Sequence, residues 1–524
     1  MAINVRMTAL DRAIAYFSPG VALERLRARA VLASVGGYNG GKRDRRPTKR
    51  WRPGQGSADA DLLPDLGDLR GRARDLARNA PIASGAIATK STGVIGDGLR
   101  LQAAIDHEIL SVSEEAADAM EREQEREWTM FCKTADYTSV QHFDEMQALA
   151  LRSADESGDS FLVRRYRADP GAIYGTKVQL VEADRVSNPN RRADTDEISG
   201  GVEMKDGVHV AYHITDKHPG ALRPSALNWK RVPARSADGL QLVIHLFERT
   251  RPDQTRGAPY LAPVVELLKQ LGDYTDAEVT AAVISAMFTL AIETTADESD
   301  NPIVGEKDSS LNDNELKLGN GAIISLAPGE SAKAINPSRP NANFDPFVLS
   351  LLRQVGVALE LPYELLVKHF TASYSASRAA LEMAWQYFRK MRSSFARRVN
   401  QTVYEWMMEE AVASGRLNRP GFFEDPAMRA AYLGANWIGP ARISLDPLKE
   451  ANADKVDVLE LQVKTREQVC LERTGGQIEK KAAQLTKESR ILAGSGIAVT
   501  TAATQPAEPQ NPDAEDNQPQ DMSQ

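Results

Sequence analysis

Cysteine is almost absent from this 524-residue chain: only Cys132 and Cys470 occur, far apart in sequence. Two lone thiols build no disulfide framework, so a reducing compartment is expected. No apolar run reaches the roughly 18 residues that a membrane-spanning helix needs. The opening stretch MAINVRMTALDRAIAYF lacks the continuous apolar core and small-residue cleavage site of a signal peptide. Synthesis in, and action from, the cytoplasm with no membrane partner is the expectation. Excess positive charge is missing too, the formal net charge being −8. A protein that grips DNA phosphates is usually basic, so composition argues against a tight DNA binder. It is compatible with a surface along which a duplex slides, because strong attraction would stall it.

Catalytic constellations are also missing. GGYNGGKR (Gly36–Arg43) has the spacing of a phosphate-binding loop, but Arg43 stands where Ser or Thr should hold Mg²⁺. No strand pattern precedes it, and a Pro/Arg-rich segment follows. GDSF (Gly158–Phe161) and Asp206-x-x-His209 look like two blocks of a serine hydrolase. A triad needs Ser, His and acid within hydrogen-bond reach, and His209 sits in a strand pattern only about 50 residues on. His209 and His213 would share a metal on a helix. On a strand rising about 3.3 Å per residue they lie near 13 Å apart. Gly96-Asp97-Gly98 lacks the rest of a dinucleotide fingerprint, and no Cys/His cluster exists. No catalytic residue, metal ligand or cofactor is expected.

A 42% hydrophobic share is that of a globular protein, and 524 residues exceed one ordinary core. The most informative stretch runs from Asn336 to Phe388. Asp345-Pro346 is a helix-start signal, Asp capping free N–H groups and Pro fitting the first helical position. Val348, Leu351, Leu352, Val355 and Leu359 then recur at three- and four-residue steps on one face. Pro362 ends that helix. A loop rich in large side chains follows, PYELLVKHFTASYS, carrying adjacent Lys368 and His369. A second helix is expected from Ser375 to about Ala413, roughly 58 Å long at 1.5 Å per residue. Leu381, Trp385, Phe388, Met391, Phe395, Val399, Val403 and Trp406 mark its apolar face. Arg389, Lys390, Arg392, Arg397 and Arg398 decorate it, as a solvated face, an inter-subunit ion-pair partner or a DNA contact.

Residues 1–33 carry an amphipathic helical pattern, followed by a Gly/Pro segment with seven Lys/Arg between Lys42 and Arg52. That segment reads as a flexible linker, or as an arm touching a protein partner or nucleic acid. Residues 69–260 read as mixed α/β. Ser113–Thr134 is a charged helix, and Phe161–Arg167, Lys177–Val181 and Val208–Thr215 are strand-like. Residues 261–292 read as one long or once-interrupted helix, kept slim by Ala281, Ala282, Ser285 and Ala286. That pattern suits a crowded helix ring or an ordinary buried helix equally. Residues 293–343 are polar with a hairpin at Gly321–Ile335. Gly415–Gly439 is a Pro/Gly/aromatic connection. Asp446-Pro447 opens a helical region to about Leu492, broken at Gly475-Gly476. From Gln505 the tail holds five acids and no Lys or Arg, and disorder is expected there.

NPSRPNANFDPFVLSLLR, LPYELL and SYSASRAALEMAW resemble the portal proteins of tailed bacteriophages, in the lambda-type family. So do, in the family's order, Leu69–Gln102, VEADRVSNP (Val181–Pro189), Val243–Val264 and GPARISLDPLKEANAD (Gly439–Asp454). The resemblance spans roughly Leu69 to Gly494. It implies a mostly helical α+β subunit assembled as a ring, dodecameric in that family, at one capsid vertex of the virion. Double-stranded DNA passes through its channel. The large terminase subunit docks on one end, head-completion or adaptor proteins dock later, and the major capsid or scaffold protein surrounds it. Assembly takes place in the host bacterial cytoplasm. With no ATP motif here, a separate ATPase supplies the force. The family's parts fall as follows: N-terminal segment and arm 1–68, α/β wing 69–260, stem helix 261–292, clip 293–343 and second stem helix 344–361. The tunnel loop is 362–374, the long helix 375–414, the return to the wing 415–446, the helical crown 447–497 and the acidic tail 498–524. The tunnel loop puts Lys368, His369 and Ser373 forward as DNA contacts, with an inter-subunit salt bridge the alternative for Lys368. Other expectations weighed are a different head–tail connector ring and a packaging enzyme.

Overall fold

The computed structural model describes residues 9–34, 46, 48, 50–222, 226–286, 290–294, 330–334, 343–370, 373–443 and 446–494. The look-alike phosphate loop at 36–43, most of the expected clip and the acidic tail lie outside the described residues. The chain divides into two units, Met1–Pro64 and Asp65–Gln524. The first holds α1 (Ala9–Phe17) packed on α2 (Pro19–Ser34), then α3 (Ala58–Leu62), whose start is capped by the Ser57 side chain.

The second unit begins with α4 (Leu66–Asn79) and α5 (Pro81–Val94), joined at Ala80 with Pro81 in the first turn of α5. Strand β1 (Arg100–Ala103) and the single turn α6 (His107–Leu110) follow. Helix α7 (Glu114–Cys132) opens on the Ser113 cap, one residue from the sequence expectation. Helix α8 (Phe143–Ser157) opens on a reciprocal pair in which His142 caps and Glu145 reaches back.

Strands β2 (Asp159–Tyr166), β3 (Thr176–Glu182) and β8 (Val243–Phe247) form an antiparallel sheet in the order β3-β2-β8. Between β3 and β8 lies an antiparallel meander of β4 (Ile198–Ser199), β5 (Val202–Lys205), β6 (Val208–Thr215) and β7 (Trp229–Pro233). Side chains alternate across a strand, so β2 serves two cores. Leu162 joins the large helical core with Val178 and Ile244. Phe161 and Val163 join a smaller core with Tyr212 and Ile214 of the meander.

Helix α9 spans Val265–Ala286. The helix expected over 261–292 is therefore shorter: residues 290–294 form strand β9 (Leu290–Thr294), paired antiparallel with β10 (Glu330–Ala334). Cross-strand pairing decides there over the weak helical preference of LAIET. Residues 321–329, expected as the first arm of a hairpin, lie outside the described residues. Helix α10 (Phe344–Ala358) starts on Asn343, not on an Asp345 cap. Asp345 and Pro346 instead occupy the first turn, where the N–H that Pro lacks would be unpaired anyway.

The segment read as loop holds a short helix, α11 (Tyr363–Val367), with Pro362 at its start. Helix α12 (Tyr374–Phe395) runs through a π turn, Ala396–Asn400, into α13 (Gln401–Ala413). Phe395, Val399 and Val403 are all buried on one face across the π turn. The connection 415–439 contains α14 (Pro426–Tyr432) and β11 (Ala435–Ile438), which pairs antiparallel with β1. Asp446 caps α15 (Pro447–Lys455), as Asp-Pro suggested. A second π turn follows it, then α16 (Arg466–Thr474), ended by Gly475 with a left-handed backbone, and α17 (Ile478–Gly494). No described helix is long and apolar enough to cross a membrane.

Candidate functional site

The turn between α10 and α12 is built from two successive helix closures of the same kind. At the end of α10, Glu360 takes a left-handed φ of 54° and the Leu361 N–H donates to Gly356 O at 2.9 Å. At the end of α11, Lys368 takes φ 54° and the His369 N–H donates to Glu364 O at 3.0 Å. Both are six-to-one closures that satisfy terminal carbonyls, made without the usual glycine. The glycine sits elsewhere: a Cβ on Gly356 would meet the Leu361 carbonyl oxygen at 2.6 Å, so the backbone can return only past a residue lacking one.

The root of this turn is anchored in the core. Leu359, Leu361 and Leu366 are buried there. The Tyr260 hydroxyl donates to the Leu359 carbonyl. Beneath the Tyr260 ring lies the Lys90 ammonium, 3.9 Å from the centroid. Lys90 also donates to Asp155 Oδ1 at 2.6 Å, both residues being buried. Burial alone would lower the Lys90 pKa, but the Asp155 carboxylate outweighs it and raises it. Burial pushes the Tyr260 hydroxyl far above its usual value, so it stays protonated and remains a donor. Lys90, Asp155 and Tyr260 carry no local sequence signature, because their partners lie far away along the chain.

At the tip, Lys368, His369 and Phe370 are exposed. Lys368 has no ion-pair partner among the described residues. Ser373, the third residue put forward by sequence, is committed locally: its hydroxyl accepts from the Ala376 N–H at 3.5 Å and lies 3.2 Å from Ser375 Oγ. It starts α12 and so positions the turn.

The other sequence candidates do not assemble into chemistry. Ser160 is buried on β2, facing the helical core on the opposite side of the sheet from Phe161. Asp206 lies in a turn with φ 53°, and His209 lies 3.5 Å from the Tyr212 hydroxyl. His213 pairs with Glu203 at 3.2 Å. Glu182, Asp184 and His218 bring their ligand atoms within 4.8 Å of one another. Arg74 already ion-pairs with both carboxylates, at 3.2 Å to Glu182, which makes this a closed ion-pair network. A second network centres on the fully buried Asp159. It accepts from Arg70 at 3.0 Å and Arg256 at 2.9 Å, with His245 Nε2 at 3.4 Å. Burial opposes its charge, but the two guanidiniums overcome that and hold the carboxyl far below the usual range. This network ties β2 to β8, α4 and the 254–257 turn.

A family model described as phage portal protein, lambda family, matches residues 44–392, two thirds of the chain. The portal protein of Escherichia phage N15 is 28% identical over 493 residues, covering 89% of this chain and 92% of its own. Portal protein B of Escherichia phage lambda shows the same identity and coverage. Among solved structures, the neck of a native GTA particle computed with C12 symmetry matches with a TM-score of 0.45 and 13% identity. That match covers 78% of this chain and 93% of the other.

Proposed function

We propose that this chain, which belongs to the lambda family of phage portal proteins, assembles as a closed ring around a channel for double-stranded DNA. The ring occupies one capsid vertex of the virion. DNA is packaged and ejected through it, the terminase motor docks on it, and head-completion proteins follow. The reading assigns 69–260 to the outer wing, α9 and α10 to the stem, 293–343 to the clip, 362–374 to the tunnel loop and 447–497 to the crown. No residue of the chain performs chemistry in this reading. The protein supplies a shaped passage, and a separate ATPase supplies work.

The observation that carries the DNA contact is the exposed Lys368-His369 pair on a turn whose root is pinned by Tyr260. A lysine here reaches phosphate as a point charge, without base readout. Repeated once per subunit, it makes a weak, sequence-blind belt that suits a duplex in motion. Lys368→Ala is expected to leave ring assembly intact, reduce retention of packaged DNA and flatten the salt dependence of that retention. Lys368→Gly is the conformational control, since glycine accepts the left-handed backbone without strain. Unchanged DNA retention in both variants, or collapse of the ring in the glycine variant, refutes the assignment.

A further inference from the structure

Several cations of this chain have no carboxylate partner. Arg249, after β8, and Arg389, Lys390 and Arg397, on α12 and its π turn, are exposed and form no ion pair among the described residues. They crowd other cations instead. Burial and then Arg249 lower the Arg398 pKa, and burial and then Arg389 lower that of Arg392 to about 10. Arg249, Lys390 and Arg398 edge a cavity of about 270 Å³ with apolar walls from Phe247, Met391 and Phe395. Glu248 also lines it, as does the buried Lys90–Asp155 pair, in which the second carboxylate oxygen of Asp155 has no hydrogen-bond partner among the described residues. The cavity is thus cationic overall but of mixed sign.

Helix α9 carries a counterpart. Glu266, Lys269, Asp273 and Asp276 recur at three- and four-residue steps and all are exposed. The same stripe continues into Val279 and Val283, 58% and 51% exposed. Lys269 pairs with Asp273, and Asp276 has no ion-pair partner among the described residues. The stripe is anionic overall, of mixed sign, and ends in apolar side chains that no described residue covers.

We infer that the α9 stripe of one copy docks on the cation-edged cavity beside α12 of the next copy, forming the seam of the ring. This rests on the ring reading proposed above. A closed ring requires a head-to-tail interface, two different and complementary patches on each subunit. The two patches are opposite in net sign, both are mixed in charge and both carry apolar side chains, and they lie on different elements. Duplex DNA is the competing occupant of the cationic patch. It is disfavoured because a uniform polyanion would face the exposed Glu248 at the cavity, whereas the stripe offers Lys269 alongside its carboxylates.

The test is charge exchange in the full-length protein, with ring yield read by mass photometry and negative-stain microscopy. Far-ultraviolet circular dichroism melts check that each variant folds. Glu266→Lys with Asp276→Lys is expected to lower ring yield about tenfold, and so is Arg389→Glu with Lys390→Glu. Combining all four changes restores opposite charges across the seam and should recover most of the wild-type yield. Rings that ignore both pairs of changes, or a combination no better than either pair, overturn the seam and leave the ring reading standing. The seam also falls if the α12 pair weakens duplex binding by the unassembled chain while ring yield is unchanged. A wild-type chain that forms no ring under any assembly condition overturns the ring reading, and the seam with it.

Discussion

Replacing Asp159 by Asn removes one charge at nearly constant shape from the centre of the β3-β2-β8 region. The side chain is fully buried, and its two arginine partners Arg256 and Arg70 are 2% and 6% exposed. Arg256 also donates to the carbonyls of Ala183 and Val186, at 2.9 Å each, so it cannot swing out to water without breaking backbone contacts. The substitution therefore leaves two guanidiniums buried with one fewer anion than they need. Breaking such a pair costs about 3–5 kcal/mol, whereas loss of an exposed pair such as Asp68–Arg72 costs about 0–1 kcal/mol. A chain of this size is not a two-state system, so global unfolding is the wrong assay. Amide hydrogen exchange reads the local opening of β2, β3 and β8 directly. At 1.4 kcal/mol per tenfold, protection in these strands should fall at least about a hundredfold in Asp159→Asn, with α15 to α17 unaffected. A fall of less than about tenfold would show that Asp159 is dispensable and that hydrophobic contacts across β2 hold the sheet alone.

Burial holds His245 at a pKa of about 4, below its unfolded value. The folded protein therefore keeps this imidazole neutral while the unfolded chain takes up a proton. Stability from this site is complete above about pH 6.5 and is lost as pH falls from there towards 4, by an amount on the order of 3 kcal/mol. His245→Gln should flatten that slope in exchange measurements on β8, and an unchanged slope would remove His245 as its source. A Cβ on Gly257 would stand 1.9 Å from the Gly158 carbonyl oxygen, backbone that cannot yield locally. Gly257→Ala is expected to cost about 1–3 kcal/mol and to lower the melting temperature, while Gly272→Ala, with open space around it, should not.

The helices and strands of this protein were largely legible in its sequence because they rest on local rules. Apolar steps of three and four marked α10 and α12, alternation marked β6, and Asp446-Pro447 and Gly475 marked the start of α15 and the end of α16. The family was legible too, because several long segments keep their order. Less legible were the places where local preference is weak and distant pairing decides. Residues 290–294 became strand because Glu330–Ala334 pairs with them, and Asp345 lost the cap because the helix began one residue before it. Only the tertiary structure decided the state of the turn at 359–373. It set Lys368 free at the tip, used up the Ser373 hydroxyl as a cap, and pinned the root with Tyr260 over the Lys90–Asp155 pair. Tyr260, Lys90 and Asp155 are separated from their partners by tens to hundreds of residues, so no window of sequence contains those interactions. Local periodicity determined which segments are helices; burial of charge between distant segments decided how the turn is held and which of its side chains remain exposed.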